Sequence, residues 1–183
     1  MAERPLNATA ASLLGFLLEG QKSGWDLVQT AEQRIGNFWS LTRSQVYREL
    51  AAMADGGLIS AGETGPRERR PYRITARGRA AFRAWLTADT GREQIRHPLL
   101  LKLSFGRHLP PDRLAELLAA ERQAHAARLD AYRERLPALR ATDAYAAAVL
   151  QFGIRYERAI LDWLDELGPA QRLGGGAGRP GRP

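Results

Sequence analysis

The sequence predicts a mainly α fold with a small β wing, and three observations carry that reading. Residues 40–78 run as a capped helix, a glycine stop and two short β-prone segments joined by an arginine-rich loop. Apolar residues before and after that stretch recur at three- and four-residue spacing, the period of amphipathic helices. The charge is also divided, with 12 Lys/Arg against 8 Asp/Glu in residues 1–88 and 12 against 12 in residues 89–167. Helix followed by cationic hairpin is the order of a winged helix-turn-helix domain, in which the helix enters the major groove and the hairpin reaches neighbouring phosphates. The expected division is a winged-helix DNA-binding domain over 1–88 and an antiparallel helical dimerisation and effector domain over 89–167. A Gly/Pro/Arg tail over 168–183 is expected to be disordered.

The first helix is expected from about Asn7 to Glu19, with Ala10, Leu13, Leu14, Leu17 and Leu18 inward, stopping at Gly20. The second starts at a Ser23 cap, buries Leu27, Val28, Ala31 and Ile35, and stops at Gly36. In the third, Thr42 and Gln45 form a capping box, the hydroxyl and the amide satisfying free N–H groups of the first turn. Val46, Leu50 and Met53, with Ala54, form one buried stripe. At about 100° per residue the opposite direction holds Ser44, Arg48, Ala51 and Ala52, with Gln45 beside them and Arg43 and Tyr47 on a flank. Small residues let a helix sit deep in a groove, where Arg pairs with guanine and Gln with adenine. Ser44, Gln45 and Arg48 are therefore the expected base readers, and Thr42, Arg43 and Tyr47 the expected phosphate contacts. A solvated surface helix would carry the same residue types, and Gln45 could be closing its cap alone. The wing is what favours DNA.

The third helix stops at Asp55-Gly56-Gly57, and Leu58-Ile59 and Tyr72-Arg-Ile74 read as strands. Gly62, Gly65 and Pro66 punctuate the loop between them. Arg67, Arg69, Arg70 and Arg73 outnumber Glu63 and Glu68 there and are expected on phosphates. Thr75 is expected to cap a fourth helix with Ala81, Phe82, Trp85 and Leu86 as its stripe.

Leu99, Leu100, Leu103 and Phe105 mark a short apolar helix before Pro110-Pro111. From Asp112 a longer one follows through Leu118, Arg122, His125, Leu129, Tyr132, Leu136 and Leu139, with Pro137 expected to end or kink it. The last starts near Thr142–Asp143 and shows Val149, Gly153, Tyr156, Ile160, Trp163 and Leu167 at heptad-like intervals. These stripes can pack together within one subunit or against a second copy. A homodimer suits paired half-sites on a palindromic operator, and its expected seam is Leu129, Tyr132, Leu136, Tyr156, Ile160, Trp163 and Leu167.

At these residues a family resemblance becomes specific. Tyr47-Arg-Glu-Leu50, Met53-Ala-Asp-Gly-Gly-Leu58, the Arg-rich wing, Tyr72-Arg-Ile-Thr75 and Gly78 resemble the winged-helix domain of PadR-like transcriptional regulators. Leu13 to Gly20, Ser23-Gly-Trp-Asp-Leu27 and Ile35 to Trp39 are similar to that family's opening passage, with Trp25 in place of the usual tyrosine. Leu99 to Phe105 and Gly153 to Leu167 resemble the helical half of its long-tailed members, so the resemblance spans residues 6–167. It implies a repressor released by a small aromatic or amphipathic effector bound between the two domains. Phe38, Trp39, Phe105, Phe152 and Tyr156 are the residues that could line such a site; each would equally serve as ordinary core.

Composition fits without demanding this. No run of some 18 apolar residues is present, so no membrane contact is expected. Met1-Ala-Glu-Arg-Pro is no secretory leader and cysteine is absent, which suits a cytoplasmic chain. His97, His108 and His125 match no zinc spacing, and the helical acid pairs are surface charges, so no enzyme, metal or cofactor is expected. Three function classes remain open on the residues: a sequence-specific regulator, a non-specific or architectural DNA-binding protein, and a protein–protein adaptor that keeps the winged helix as a scaffold.

Overall fold

Local capping and one apolar stripe per helix explain most of the N-terminal architecture. A computed structural model describes residues 6–36, 38–63, 65, 70–91 and 96–167; the tail expected to be disordered, 168–183, lies outside them. The chain divides into two compact units, 1–93 and 94–183.

In the first unit α1 spans Ala8–Leu17, α2 Gly24–Arg34, α3 Arg43–Asp55 and α4 Ala76–Thr87. The Asn7 side chain accepts from the Ala10 N–H at 2.8 Å and starts α1. Ser23 and Asp26 close a reciprocal capping box on α2. Strands β1 (Lys22–Ser23), β2 (Ile59–Ala61) and β3 (Pro71–Ile74) form an antiparallel sheet in the order β1-β3-β2. Strand β1 adds to the expected hairpin a third member, paired Lys22 to Tyr72 and Ser23 to Pro71. One core joins the unit, built on Leu13, Leu14, Leu17, Leu27, Val46, Leu50, Met53, Ile59 and Ile74.

Three expectations need correction here. Helix α1 ends at Leu17, and Leu18, expected inward, is 42% exposed, because the chain turns there toward the left-handed Gly20. On α4 Phe82 packs on the core, but Trp85 and Leu86 are 38% and 58% exposed, because the core of the unit takes only Phe82 from this helix. The second β segment starts at Pro71, one residue before Tyr72.

The second unit holds α5 (Pro98–Ser104), a short 3-10 turn at Gly106–His108, α6 (Pro111–Thr142) and α7 (Ala144–Leu167). Helices α6 and α7 are antiparallel. Their partners run in opposite order, Arg122 to Asp165, His125 to Glu157 and Tyr132 against Gly153. A Cβ at Gly153 would lie 3.1 Å from the Tyr132 ring, so glycine there admits the ring against α7. Two apolar clusters fill this seam: Leu99, Leu114, Leu118 and Leu164 in one, Leu129, Tyr132, Leu150 and Ile154 in the other.

Between the two clusters sits a buried ionic group. His125 Nδ1 lies against Glu157 Oε2, and Arg128 Nε donates to Glu157 Oε1 at 3.2 Å. His125 and Glu157 are each 4% exposed, and His97 stacks on the His125 ring at 6.4 Å. Such a group favours one register of the hairpin, because sliding α7 would leave a charge buried and unpaired. Nearer the surface, the Arg122 guanidinium hydrogen-bonds the Asp165 carboxyl and holds it below the usual carboxylate range.

Pro137 does not end α6, which continues to Thr142. Proline removes one backbone donor, and the packing of Leu136 and Leu139 against the seam carries the helix past it. The α7 stripe is also displaced from its expected position. Ala147, Leu150, Ile154, Glu157 and Leu164 face inward, whereas Val149 and Tyr156 are exposed.

Candidate nucleic-acid interface

Helix α3 presents the face its sequence predicts. The Thr42 N–H donates to Gln45 Oε1 at 2.8 Å, and the Gln45 N–H donates to Thr42 Oγ1 at 3.2 Å, so the box that starts the helix is closed on both sides. Val46, Leu50 and Met53 are buried, and Ser44, Arg48, Ala51 and Ala52 are exposed on the opposite side. The Gln45 carbonyl oxygen is taken up by the cap, which leaves its Nε2 donor group for a base edge. Arg43 and Thr42 are exposed beside this face. Tyr47 is half-exposed and reaches to the start of α2, where a Cβ on Gly24 would fall 2.7 Å from Tyr47 Cε1. Nothing in the sequence pattern singled out Gly24; its role exists only once α2 and α3 are packed.

The wing is fixed to the ends of α3 and α4 by one staple. Thr75 caps α4 by accepting from the Gly78 N–H at 3.0 Å. The Thr75 N–H donates to the Leu58 carbonyl at 3.1 Å, and the Thr75 hydroxyl reaches Gly57 O and Leu58 O at 2.8 and 3.0 Å. Gly78 allows this approach, because a Cβ there would stand 2.1 Å from Leu58 O. The turn after α3 uses Gly57 in the left-handed region, at φ +69°.

Of the wing arginines, Arg70 and Arg73 are exposed. Arg70 Nε donates to the Gly62 carbonyl at 3.3 Å, and Arg73 Nη2 donates to Gln21 Oε1 at 3.0 Å. Both are therefore held on the sheet with part of their guanidinium donors still available, a pre-orientation that the composition of the loop did not reveal. Arg67 and Arg69 lie outside the described residues.

The five aromatics expected around an effector divide between the units. Phe38 and Trp39 are exposed in the first, Phe105, Phe152 and Tyr156 in the second, where Phe152 and Tyr156 stack at 6.4 Å. Partial burial raises the Tyr156 phenol above its ordinary value. Among the residues expected at a dimer seam, Leu129 and Tyr132 are covered by α7 of their own chain, and Leu136 packs on the same cluster. Ile160, Trp163 and Leu167 are partly buried around Leu164, and Tyr156 stays open.

Comparison with known proteins follows the same division. Residues 13–84 match the Transcriptional regulator PadR-like family, and residues 95–168 match the Virulence activator alpha C-term family. The chain is 27% identical over 169 residues to the negative transcriptional regulator PadR of Bacillus subtilis, covering 85% of this chain and 93% of that one. It is 28% identical over 179 residues to a probable transcriptional regulator of Mycobacterium tuberculosis, covering 87% and 95%. The crystal structure of the Bacillus PadR in complex with operator DNA superposes with a TM-score of 0.76 at 25% identity, over 90% of this chain and 97% of the other. The same regulator has also been solved in complex with p-coumaric acid, with a TM-score of 0.67 at 24% identity, over 91% and 96%.

Proposed function

We propose that the chain, which matches the PadR-like family of transcriptional regulators over residues 13–84, is a cytoplasmic, homodimeric repressor that binds a palindromic operator and is released by a small-molecule effector. The observation that carries the reading is the exposed Ser44–Arg48 face of α3, backed by a buried Val46–Leu50–Met53 stripe and stapled through Thr75 to an arginine-bearing wing. A face built this way offers an arginine and small residues to base edges, while the wing places cations where the adjoining backbone runs. Ser44, Gln45 and Arg48 read bases in this proposal. Thr42, Arg43, Tyr47, Arg67, Arg69, Arg70 and Arg73 contact phosphates. The division is 1–88 for DNA, 89–167 for dimerisation and effector response, and 168–183 as a tail. The related Bacillus regulator binds operator DNA and p-coumaric acid, which supports an operator and an effector here. The exposed aromatics Phe38, Trp39, Phe105, Phe152 and Tyr156 are the effector's expected contacts.

An electrophoretic mobility assay on the DNA upstream of the chain's own gene, with scrambled competitor, tests the reading. Retention that cognate DNA competes and scrambled DNA does not supports it. Equal retention on every sequence turns the reading to an architectural protein, and no retention turns it to an adaptor.

A further inference from the structure

On the outer face of the three-stranded sheet one arginine is held in place without being neutralised. Strand β3 alternates there, so Ile74 is buried and Arg73 exposed. The register sets Ser60 of β2 beside Arg73. On the other flank Lys22 pairs with Tyr72, which brings Gln21, one residue before β1, level with Arg73. Gln21 and Ser60 are both exposed. Arg73 Nη2 donates to Gln21 Oε1 at 3.0 Å. A guanidinium has no acceptor, so this bond turns the amide oxygen toward the arginine. The bond orders the arginine in return, and because its partner is a neutral amide, the positive charge is not cancelled. Ser60 is too short to cover the guanidinium from the other flank. Glu63 shares a hollow with Gln21 and Lys22, and Arg73 does not line it.

We infer that Gln21 is a positioning residue for DNA, holding the Arg73 guanidinium ready for one phosphate of the duplex backbone. A long side chain that is free before binding gives up its rotamers on contact, at a cost of about 2- to 10-fold in affinity. The cross-strand bond meets that cost in the free chain. The remaining N–H donors of the guanidinium suffice for the paired contacts that it makes to a phosphate. A carboxylate in the place of Gln21 would hold the arginine equally well and cancel its charge; the amide does the first without the second. The inference rests on the proposed binding of DNA and adds to it an uncharged residue outside both the recognition helix and the arginine-rich loop.

The test titrates the full chain into a fluorescein-labelled, mixed-sequence duplex of about 30 base pairs, followed by anisotropy from about 50 to 200 mM salt, since phosphate contacts act on any sequence. Gln21→Met, of similar length but without the acceptor, should weaken binding about 2- to 10-fold per subunit. It removes no charge, so the log K against log salt slope should stay put, and its effect should vanish in an Arg73→Ala background. Gln21→Glu keeps the bond and pairs the charge, so the slope should flatten by roughly 0.9 per subunit. Both positions are exposed, and the thermal midpoint should not move in any of these variants. Gln21→Met that binds as tightly as the unsubstituted chain, or that costs as much without Arg73 as with it, overturns the positioning role. Inorganic phosphate at matched ionic strength should leave duplex binding unchanged; specific displacement would make Arg73 the seat of a free anion and overturn the assignment to DNA. Duplex binding indifferent to Gln21 removes this inference alone, whereas a chain that binds no duplex removes the regulator reading and the inference with it.

Discussion

Replacing Gly78 with alanine should loosen the wing, and the structure allows the size of the effect to be worked out. The new Cβ would stand 2.1 Å from Leu58 O, 2.9 Å from Ile74 Cγ1 and 3.1 Å from the Leu58 carbonyl carbon. The first clash is with backbone, so no side-chain rotation relieves it. Either α4 or the turn after α3 must retreat by roughly 1 Å, a strain in the range of about 1–3 kcal/mol for overpacking. Retreat also stretches the bonds from the Thr75 N–H and hydroxyl to Leu58 O, each worth about 1 kcal/mol. A loss of about 3–5 kcal/mol follows, and at about 4–8 °C per kcal/mol for a domain of this unit's size the thermal midpoint should fall by roughly 12–40 °C. Calorimetry on the full chain would show the drop in the transition of the N-terminal unit, with the helical unit unchanged. Operator affinity measured well below the midpoint should fall too, because the wing is no longer fixed against α3. A midpoint within about 1 °C of the unsubstituted chain, far inside the range expected for that strain, would show that the Gly78–Leu58 contact does not hold the wing.

Three further outcomes follow from the interface. Arg48→Ala should cost about 1–3 kcal/mol of specific binding and relax discrimination at one position per half-site; an unchanged preference across a substituted operator series would remove Arg48 from base reading. Replacing Arg67, Arg69 and Arg70 together should weaken binding to all sequences alike and flatten the log K against log salt slope by roughly 0.9 per lost contact, whereas lower affinity at constant slope would mean that these arginines act through the fold of the wing. Tyr156→Glu changes an exposed residue of α7, so light scattering should show monomers with an intact fold, and operator affinity should drop because two half-site contacts are no longer linked; a dimer that survives it would exclude Tyr156 from the seam.

Much of the N-terminal unit was legible because its signals are local. Thr42 and Gln45 sit three residues apart in sequence and three apart in the finished box, and Ser23 caps α2 as its residue type predicts, so the residues alone predict these helix starts. The Val46–Leu50–Met53 stripe was equally legible, since only one face of α3 is apolar. Strand β1 was not. Two residues are too few for alternation to register, and Lys22–Ser23 becomes a strand only because β3 lies beside it. Gly24 and Gly78 owe their roles to atoms distant in sequence, Tyr47 and Leu58, so only the packed structure reveals why glycine stands there.

In the helical unit α7 carries two stripes of similar spacing. The one that faces α6 includes Glu157, which pairs with His125 and Arg128, so a pattern search for apolar residues passes over it and finds Val149, Tyr156 and Ile160 instead. Hydropathy identifies both stripes and cannot rank them. The Arg70 and Arg73 hydrogen bonds to Gly62 and Gln21 were beyond reach for the same reason as β1, as they depend on strand pairing.

The measurement that bears most directly on the central claim is selection of bound duplexes from a random-sequence pool by the full-length chain. The pool itself supplies the operator. A homodimer reading with α3 should enrich one palindromic motif whose half-sites lie about 10 base pairs, or a multiple, from centre to centre, and Arg48→Ala should blur one position in each half. A pool that retains its starting composition after repeated rounds, or a motif with no two-fold symmetry, would contradict the account.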